Sequence, residues 1–276
     1  MTDYLSYQFN DSEEFISTFD ELPLWSAPFG LLLLKHLELK HNMTVLDIGS
    51  GAGFPLMELA SRLGSSGTLY GIDPWINANI RARQKIKNYN LSNVQIIETS
   101  AEQIPIDNKS IDLIVSNLGI NNFEQPEIVF RECNRVLKQN GKLALTTNLN
   151  GHWKEFYTVF ESTLRQTGQE GLIDKLNEHQ EHRGNIDSIS KLFTQNGFKV
   201  TRHLEESFEM KFLDGSAFLN HHFVKPGWLD SWRKLLPPDR LVETFKLIEQ
   251  NLNSYSKTQG SLVLTVPMLF IEGEKI

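Results

Sequence analysis

The residues best suited to chemistry stand close together in the first third of the chain. Asp47 is followed by Gly49, Gly51 and Gly53, with Ser50 between the first two glycines, in Val45-Leu46-Asp47-Ile48-Gly49-Ser50-Gly51-Ala52-Gly53-Phe54. Glycines at this density let main chain approach a ligand, because no Cβ intervenes. A helix starting just beyond them adds unpaired N–H groups to the same spot. Asp73 comes 24 positions after Gly49, near where an α/β nucleotide site places the acid that accepts ribose hydroxyls. The dinucleotide pattern G-x-G-x-x-G would need its third glycine at position 54, where Phe54 stands, and this counts against an NAD-dependent oxidoreductase. A glycine-rich turn shaped only for packing remains the alternative for the decapeptide taken alone.

The apolar spacing predicts the elements that position these groups. Thr44-Val45-Leu46 reads as a short buried strand. Pro55 suits the first turn of a helix, Leu56, Met57, Leu59, Ala60 and Leu63 repeat at helical spacing, and Gly64 stops it. A second strand over 68–72 ends in Asp73-Pro74-Trp75, and a helix runs from about 76 to 89. A third strand spans 94–98, and a fourth spans 111–116 with Asn117-Leu118-Gly119 at its end. Pro126 opens a helix that Asn140-Gly141 is predicted to terminate, and a fifth strand follows over 142–147.

An acid followed by G-x-G-x-G resembles the first motif of the class I S-adenosylmethionine (SAM)-dependent methyltransferases. Arg135-Val136-Leu137-Lys138-Gln139-Asn140-Gly141-Lys142-Leu143 resembles a late motif of the same superfamily, and four matched elements lie in order across residues 45–147. The resemblance, closest to the type-11 small-molecule members, implies an α/β fold. That fold is a Rossmann-like seven-stranded methyltransferase sheet with helices on both faces, a mostly helical cap, and SAM at the carboxyl ends of the strands. It further implies that Asp47, Gly49, Ser50, Gly51 and Gly53 carry the methionine part of SAM, Asp47 helping to hold its ammonium. Asp73 would take both ribose hydroxyls, with Pro74 or Trp75 against the adenine. Ala101 and Glu102 would read the adenine edge, although Ser100 stands where many members carry an aspartate. Asn117-Leu118-Gly119 would flank the methyl-bearing sulfonium.

Two departures bear on the acceptor. The Asn/Asp-Pro-Pro-Tyr-like motif of enzymes that methylate amino groups of bases or glutamine is replaced here by Asn117-Leu118-Gly119-Ile120. A histidine pair carried by many quinone-type members is replaced by Asn121-Asn122, so no general base transfers from that place. His152, His221 and His222 are the remaining candidate proton acceptors. They accompany Trp153, Phe156, Tyr157, Trp228 and Trp232 in segments whose aromatics suit a small molecule that is apolar or aromatic in part, with core packing as the alternative for each ring. His179 and His182 stand at i, i+3 in a polar run without further ligands, and are read as solvated rather than metal-binding.

The 276 residues divide, on this reading, into an N-terminal helical lid (1–39), a SAM-binding core (40–150), a helical insertion of the cap (151–184), a core continuation (185–212), a second helical insertion (213–260) and a last core strand (261–276). Asp11 with Glu14 is read as a capping box for the first helix, Leu22-Pro23-Leu24-Trp25 as its break, and Ser26 as the cap of the next. Trp25 is either a ring that closes over a ligand or a staple between the two helices. A net charge of −7 gives no basic signature for nucleic acid. The N-terminus lacks a signal-like segment, and Leu31–Leu34 is too short for a membrane span. The lone Cys133 reads as a core thiol in a reducing, cytoplasmic setting. The expected activity is methyl transfer to a small molecule, with a SAM- or nucleotide-binding regulatory module and a protein or RNA methyltransferase as alternatives.

Overall fold

The computed structural model describes residues 3–9, 11–20, 24–181 and 183–276. Leu22, Pro23 and His182 lie outside the described residues, as does the side chain of Phe19. In chain order the helices begin with α1 (Glu13–Asp20), α2 (Ser26–His36), α3 (Leu56–Leu63), α4 (Ile76–Asn88) and α5 (Pro126–Val136). They continue with α6 (Lys154–Gln166), α7 (Ile173–Glu181), α8 (Ile186–Gln195), α9 (Gly215–Asn220), α10 (Asp230–Arg233) and α11 (Pro238–Gln259). The strands are β1 (Thr44–Ile48), β2 (Thr68–Ile72), β3 (Val94–Ile97), β4 (Ile111–Asn117), β5 (Leu137–Asn148), β6 (Phe198–Phe212) and β7 (Leu262–Lys275).

Two compact units result. One comprises Asp11–Asn148, Asn185–Glu206 and Met268–Ile276, and the other Met1–Asn10, Leu149–Gly184 and Ser207–Pro267. Residues 11–39, grouped with the cap in the sequence reading, cluster with the sheet.

The sheet has seven strands in the order β3-β2-β1-β4-β5-β7-β6. β1 pairs in parallel with β2 and β4, β2 with β3, and β4 with β5, whereas β7 runs antiparallel to β5. This is the Rossmann-like α/β sheet expected, with helices on both faces. The chain reverses its direction of travel across the sheet between β1 and β4, and open α/β sheets bind ligands outside the strand ends at such a switch point. β1 and β4 are almost wholly buried, as central parallel strands covered on both faces must be. Cys133 is buried in α5, and burial pushes its thiol far above the usual range, as a core thiol requires.

Several boundaries differ from expectation for local reasons. α5 ends at Val136, not at Asn140-Gly141, because Leu137 already pairs with Ile111. The ladder then slips, and pairing resumes at Leu113 with Lys142. Asn140 takes a left-handed φ of 63° in the bulge, and a Cβ on Gly141 would stand 2.9 Å from the Lys138 carbonyl. At α1 the cap is Ser12, whose Oγ accepts the Phe15 N–H at 3.1 Å. The Asp11 carboxylate is engaged elsewhere. α2 begins at Ser26 itself with no side-chain cap, and the Trp25 ring packs on Phe29 at 5.4 Å. Pro55 stands one residue before α3, its carbonyl accepting the Leu59 N–H. α8 carries a full capping box between Asn185 and Ser188.

The helical unit is built on aromatic side chains. Trp153, Phe156, Tyr157, Phe160, Phe218, Trp232 and Phe245 are all buried. The Trp232 indole N–H donates to the Tyr157 hydroxyl at 3.1 Å, which satisfies its one donor without water. Glu155 fixes the start of α6 by accepting both the N–H and the hydroxyl of Thr265, at 2.9 and 2.6 Å.

Gly71 in β2 is a clearance position. A Cβ there would stand 2.5 Å from Leu56 Cδ2 and 2.8 Å from Ser50 Oγ. Overpacking of this kind costs about 1–3 kcal/mol. Gly71→Ala is therefore expected to lower unfolding free energy in a denaturant titration by that amount, and an unchanged midpoint would contradict the packing described.

Candidate functional site

The glycine turn is pinned to the sheet before it meets any ligand. The N–H groups of Gly49 and Ser50 both donate to the Ile72 carbonyl, at 2.8 and 3.1 Å, tying the tip of β1 to the tip of β2. Gly49, Gly51 and Gly53 have φ of +74°, +49° and +101°, a region that residues with a Cβ enter only under strain. Their surroundings differ. A Cβ on Gly49 would stand 3.1 Å from Gly119 Cα, and one on Gly53 would stand 2.6 Å from the Met57 side chain. One on Gly51 would meet nothing within 4 Å. Gly49 and Gly53 serve close packing, and Gly51 borders open space. Ser50 is buried, with its hydroxyl facing the Gly71 position.

Two acids flank this turn. Asp47 is 0% exposed, and neither carboxyl oxygen has a well-formed hydrogen bond. Burial, and next the nearby Asp73 carboxyl, raise its proton affinity well above the usual carboxylate range, and the Leu56 N–H opposes this only in part. Asp73, at the end of β2, accepts the Gly51 N–H on Oδ2 and the Trp75 N–H on Oδ1, both at 2.8 Å. Burial raises its proton affinity too, and those two bonds oppose the rise. An ionised carboxylate offers about four acceptor sites, so two remain on Asp73 after these bonds.

These features fit the cofactor that the motif implies. A buried carboxylate with too few donors is costly unless a cation or a proton meets it, and SAM brings an ammonium group. The free acceptor sites of Asp73 match a pair of ribose hydroxyls. Open space over Gly51 permits the close approach.

The other expected residues are more dispersed in role. Pro74 is exposed beside Asp73. Ala101 is buried, and the Glu102 N–H donates to Ser100 Oγ at 3.3 Å in the turn after β3. Asn117 ends β4, but its amide already serves the scaffold. Oδ1 accepts from the Thr146 hydroxyl at 2.8 Å, and Nδ2 donates to the Ser26 carbonyl at 3.2 Å. His152, His221 and His222 belong to the helical unit. His152 is buried, stacked on Trp153 at 4.4 Å, and burial followed by the Arg183 charge pulls its proton affinity well below the usual imidazole range. The His221 and His222 rings lie 4.2 Å apart, and burial, then His222, lowers the proton affinity of His221. His179 packs toward Tyr157 at 6.1 Å. Among the described residues no group of three or more His, Cys, Asp or Glu is placed to hold a metal ion, and no helix is long and apolar enough to cross a membrane.

The rest of the β4 tip, Leu118 and Gly119, expected from the sequence beside the sulfonium, departs from regular backbone, and the contacts of two further residues, Asn121 and Lys85, escaped sequence reasoning. Leu118 adopts φ +67°, an unusual left-handed state for a bulky residue, as the chain leaves β4. Gly119 follows it, where a Cβ would stand 2.8 Å from the Ile48 carbonyl. Asn121 is clamped by the Thr147 hydroxyl at 2.7 Å and by Asn148 at 2.8 Å. The Lys85 ammonium donates to the Ala52 carbonyl at 2.9 Å, bracing the turn from α4. A glycine inside a strand pattern was the one advance signal, for Gly71.

Comparison with known proteins agrees with the fold and with the resemblance of the motifs. A family model described as a methyltransferase domain matches residues 39–197. The chain is 27% identical over 184 residues to a demethylmenaquinone methyltransferase of Listeria welshimeri, covering 63% of this chain and 78% of that protein. The fold is similar to that of the YcgJ protein from Bacillus subtilis, with a TM-score of 0.59 at 19% identity over 89% of this chain and 97% of the other. It is also similar to that of a SAM-dependent methyltransferase from Aquifex aeolicus, with a TM-score of 0.55 at 24% identity over 71% of this chain and 93% of the other. A matching family model over more than half the chain, on a seven-stranded sheet with an antiparallel β7, makes this chain a member of the methyltransferase-domain family, an enzyme that uses S-adenosyl-L-methionine.

Proposed function

We propose that this enzyme methylates a small-molecule acceptor, apolar or aromatic in part, by in-line displacement. We further propose that Asp47, Gly49, Ser50, Gly51, Gly53, Asp73, Pro74, Ala101, Glu102 and Asn117 form the SAM site. One observation carries the site assignment: a fully buried, poorly satisfied Asp47 carboxylate beside Asp73 and a positive-φ glycine turn. SAM supplies a methyl carbon already activated by its sulfonium. The chain's own residues then have to hold the donor, orient the acceptor and exclude water. Such positioning is worth roughly 7–11 kcal/mol in well-oriented intramolecular reactions.

In this reading Asp47 takes the ammonium, Asp73 the ribose hydroxyls, and the turn after β3 the adenine edge. Asn117 contributes through placement of the β4 tip, since its amide is engaged with Thr146 and Ser26. The helical segments 151–184 and 213–260 act as the specificity element. Their aromatic content supports an acceptor of that kind, as does the name of one relative, a demethylmenaquinone methyltransferase, while that of another, an arsenite methyltransferase of Halobacterium salinarum, supports only a small molecule. Two local strains fall among these aromatics. Trp153 sits at φ +52°, and Trp228 lies in a π-helical turn over Lys225–Leu229. Both kinds of strain recur at functional sites. The net charge of −7 speaks against a nucleic-acid acceptor, and the single buried cysteine fits a cytoplasmic setting.

The acceptor class is tested by incubating the enzyme with methyl-labelled SAM and fractionated cell extract. Label is expected in a low-molecular-weight, organic-extractable product; label confined to protein or RNA would overturn the small-molecule assignment. Asp73→Ala is expected to weaken S-adenosylhomocysteine binding by more than about tenfold in calorimetry, since hydrogen bonds to a charged group are worth roughly 1.5–3 kcal/mol. Unchanged affinity in a folded variant would move the ribose elsewhere.

Asp47 yields a pH prediction. Its raised proton affinity leaves the ligand-free folded protein holding a proton that the unfolded chain has released, so its contribution to stability falls as pH rises through that window. An ammonium against Asp47 favours the ionised form and expels the proton. S-adenosylhomocysteine binding should therefore tighten as pH rises through the raised Asp47 value, with proton release visible in buffers of different ionisation enthalpy. Asp47→Asn should abolish that release, and its persistence in the variant would assign the proton to another group.

A further inference from the structure

Asp11 has no part in the roles assigned above, yet three hydrogen bonds converge on it. Its carboxylate Oδ1 accepts the Trp75 indole N–H at 2.7 Å and the Asn77 amide at 3.1 Å, and the same amide also donates to the Asp11 carbonyl at 3.1 Å. Those bonds hold the Asp11 carboxyl below the usual range, the Trp75 bond first, so it is ionised and the contacts are charge-assisted. Trp75 is thereby held at two points, since its backbone N–H donates to Asp73 Oδ1. The Asn79 amide adds a bond to the Asp73 carbonyl at 2.8 Å.

The same segment launches a helix. α1 starts two residues after Asp11, capped by Ser12, buries Ile16 and packs along α4. α4 also presents Ala82 toward Gly53 and Lys85 toward the Ala52 carbonyl. α4 is therefore in contact with both the glycine turn and α1. Asp11 is the tie at its first turn, the turn that also orients Asp73.

We propose that Asp11 is a positioning residue for the nucleoside end of the cofactor site. By fixing the Trp75 indole and the first turn of α4, it sets the Asp73 carboxyl and couples cofactor binding to the docking of α1. The proposal rests on the assignment of Asp73 to the ribose.

The test uses the full chain, S-adenosylhomocysteine calorimetry and hydrogen exchange, with thermal melts to confirm folding. Asp11→Ala is expected to weaken binding roughly tenfold, on the scale of lost charge-assisted bonds. Asp11→Asn, which keeps an acceptor oxygen, should recover part of that loss. In the Trp75→Phe background Asp11→Ala should cost less than about twofold, because the two groups act as one unit. Ligand should slow amide exchange across residues 13–20 in the wild type and not in Asp11→Ala. Binding by Asp11→Ala at the wild-type level, or losses from Asp11→Ala and Trp75→Phe that multiply, would overturn the proposal. If Asp11→Ala binds normally while Asp73→Ala is impaired, the positioning role of Asp11 alone is overturned; if both bind normally, the ribose assignment goes with it.

Discussion

A carboxylate removed from water must be met by a proton, a cation or well-placed donors, and Asp47 is held where the scaffold offers too few donors. The sheet leaves it no escape. β1 is locked between two parallel neighbours, with Asp47 opposite Gly71 on one side and Val115 on the other, and every residue from Val45 to Ile48 is buried. The strand cannot turn its acid outward without turning Leu46 or Ile48 the wrong way. The adjoining Asp73 carboxyl makes the position less comfortable still. A protonated acid in the free enzyme and an ionised one against a cationic ligand are the two states that relieve this constraint. Cofactor affinity and proton affinity are therefore linked through one residue.

Around that acid the architecture is a matter of clearance. The tips of β1 and β4 approach until a Cβ on Gly49 would touch Gly119, and one on Gly119 would enter the Ile48 carbonyl. Gly71 opens the same space beneath Ser50 and Leu56. Polar side chains then tie the tips laterally. The Ser116 hydroxyl donates to the Ile48 carbonyl at 2.9 Å, and Asn117 joins β4 to Thr146 of β5 and to the start of α2. With three strand tips interlocked, Gly51 alone among the turn glycines borders free volume.

The sequence carried this half of the molecule well because it is encoded locally. Apolar runs mark parallel strands, glycines mark positive φ, and the spacing from Gly49 to Asp73 follows from one strand–helix–strand repeat. What escaped depends on partners distant in sequence. The Asp11–Glu14 pattern reads as a capping box, yet Ser12 caps α1 because the Asp11 carboxylate finds the Trp75 indole 64 positions away. Asn140-Gly141 reads as a helix stop, yet Leu137 leaves α5 early to pair with Ile111, and the same two residues form a bulge. Asn117 reads as a group beside the cofactor, and the structure adds what the sequence could not show, that its amide also bonds Thr146 and Ser26. No local pattern distinguishes an engaged amide from a free one.

The helical unit resisted reading for a different reason. Aromatic residues at helical spacing look alike whether they fill a core or line a pocket, and here Trp153, Phe156 and Trp232 are fully buried. The departures from regular geometry are more informative than the ring positions. A tryptophan held at φ +52° and a π-helical turn around Trp228 are conformations of the kind that recur at functional sites. His152, stacked against both indoles, is kept neutral by burial, so it can accept a proton only if its surroundings open or a ligand supplies compensating charge. That requirement sets it apart from His222, which is exposed, and from the partly buried His221. A histidine serving as general base must be neutral and reachable at once. His152 meets the first condition and not the second, and no base of this kind is needed at all if the acceptor arrives already nucleophilic.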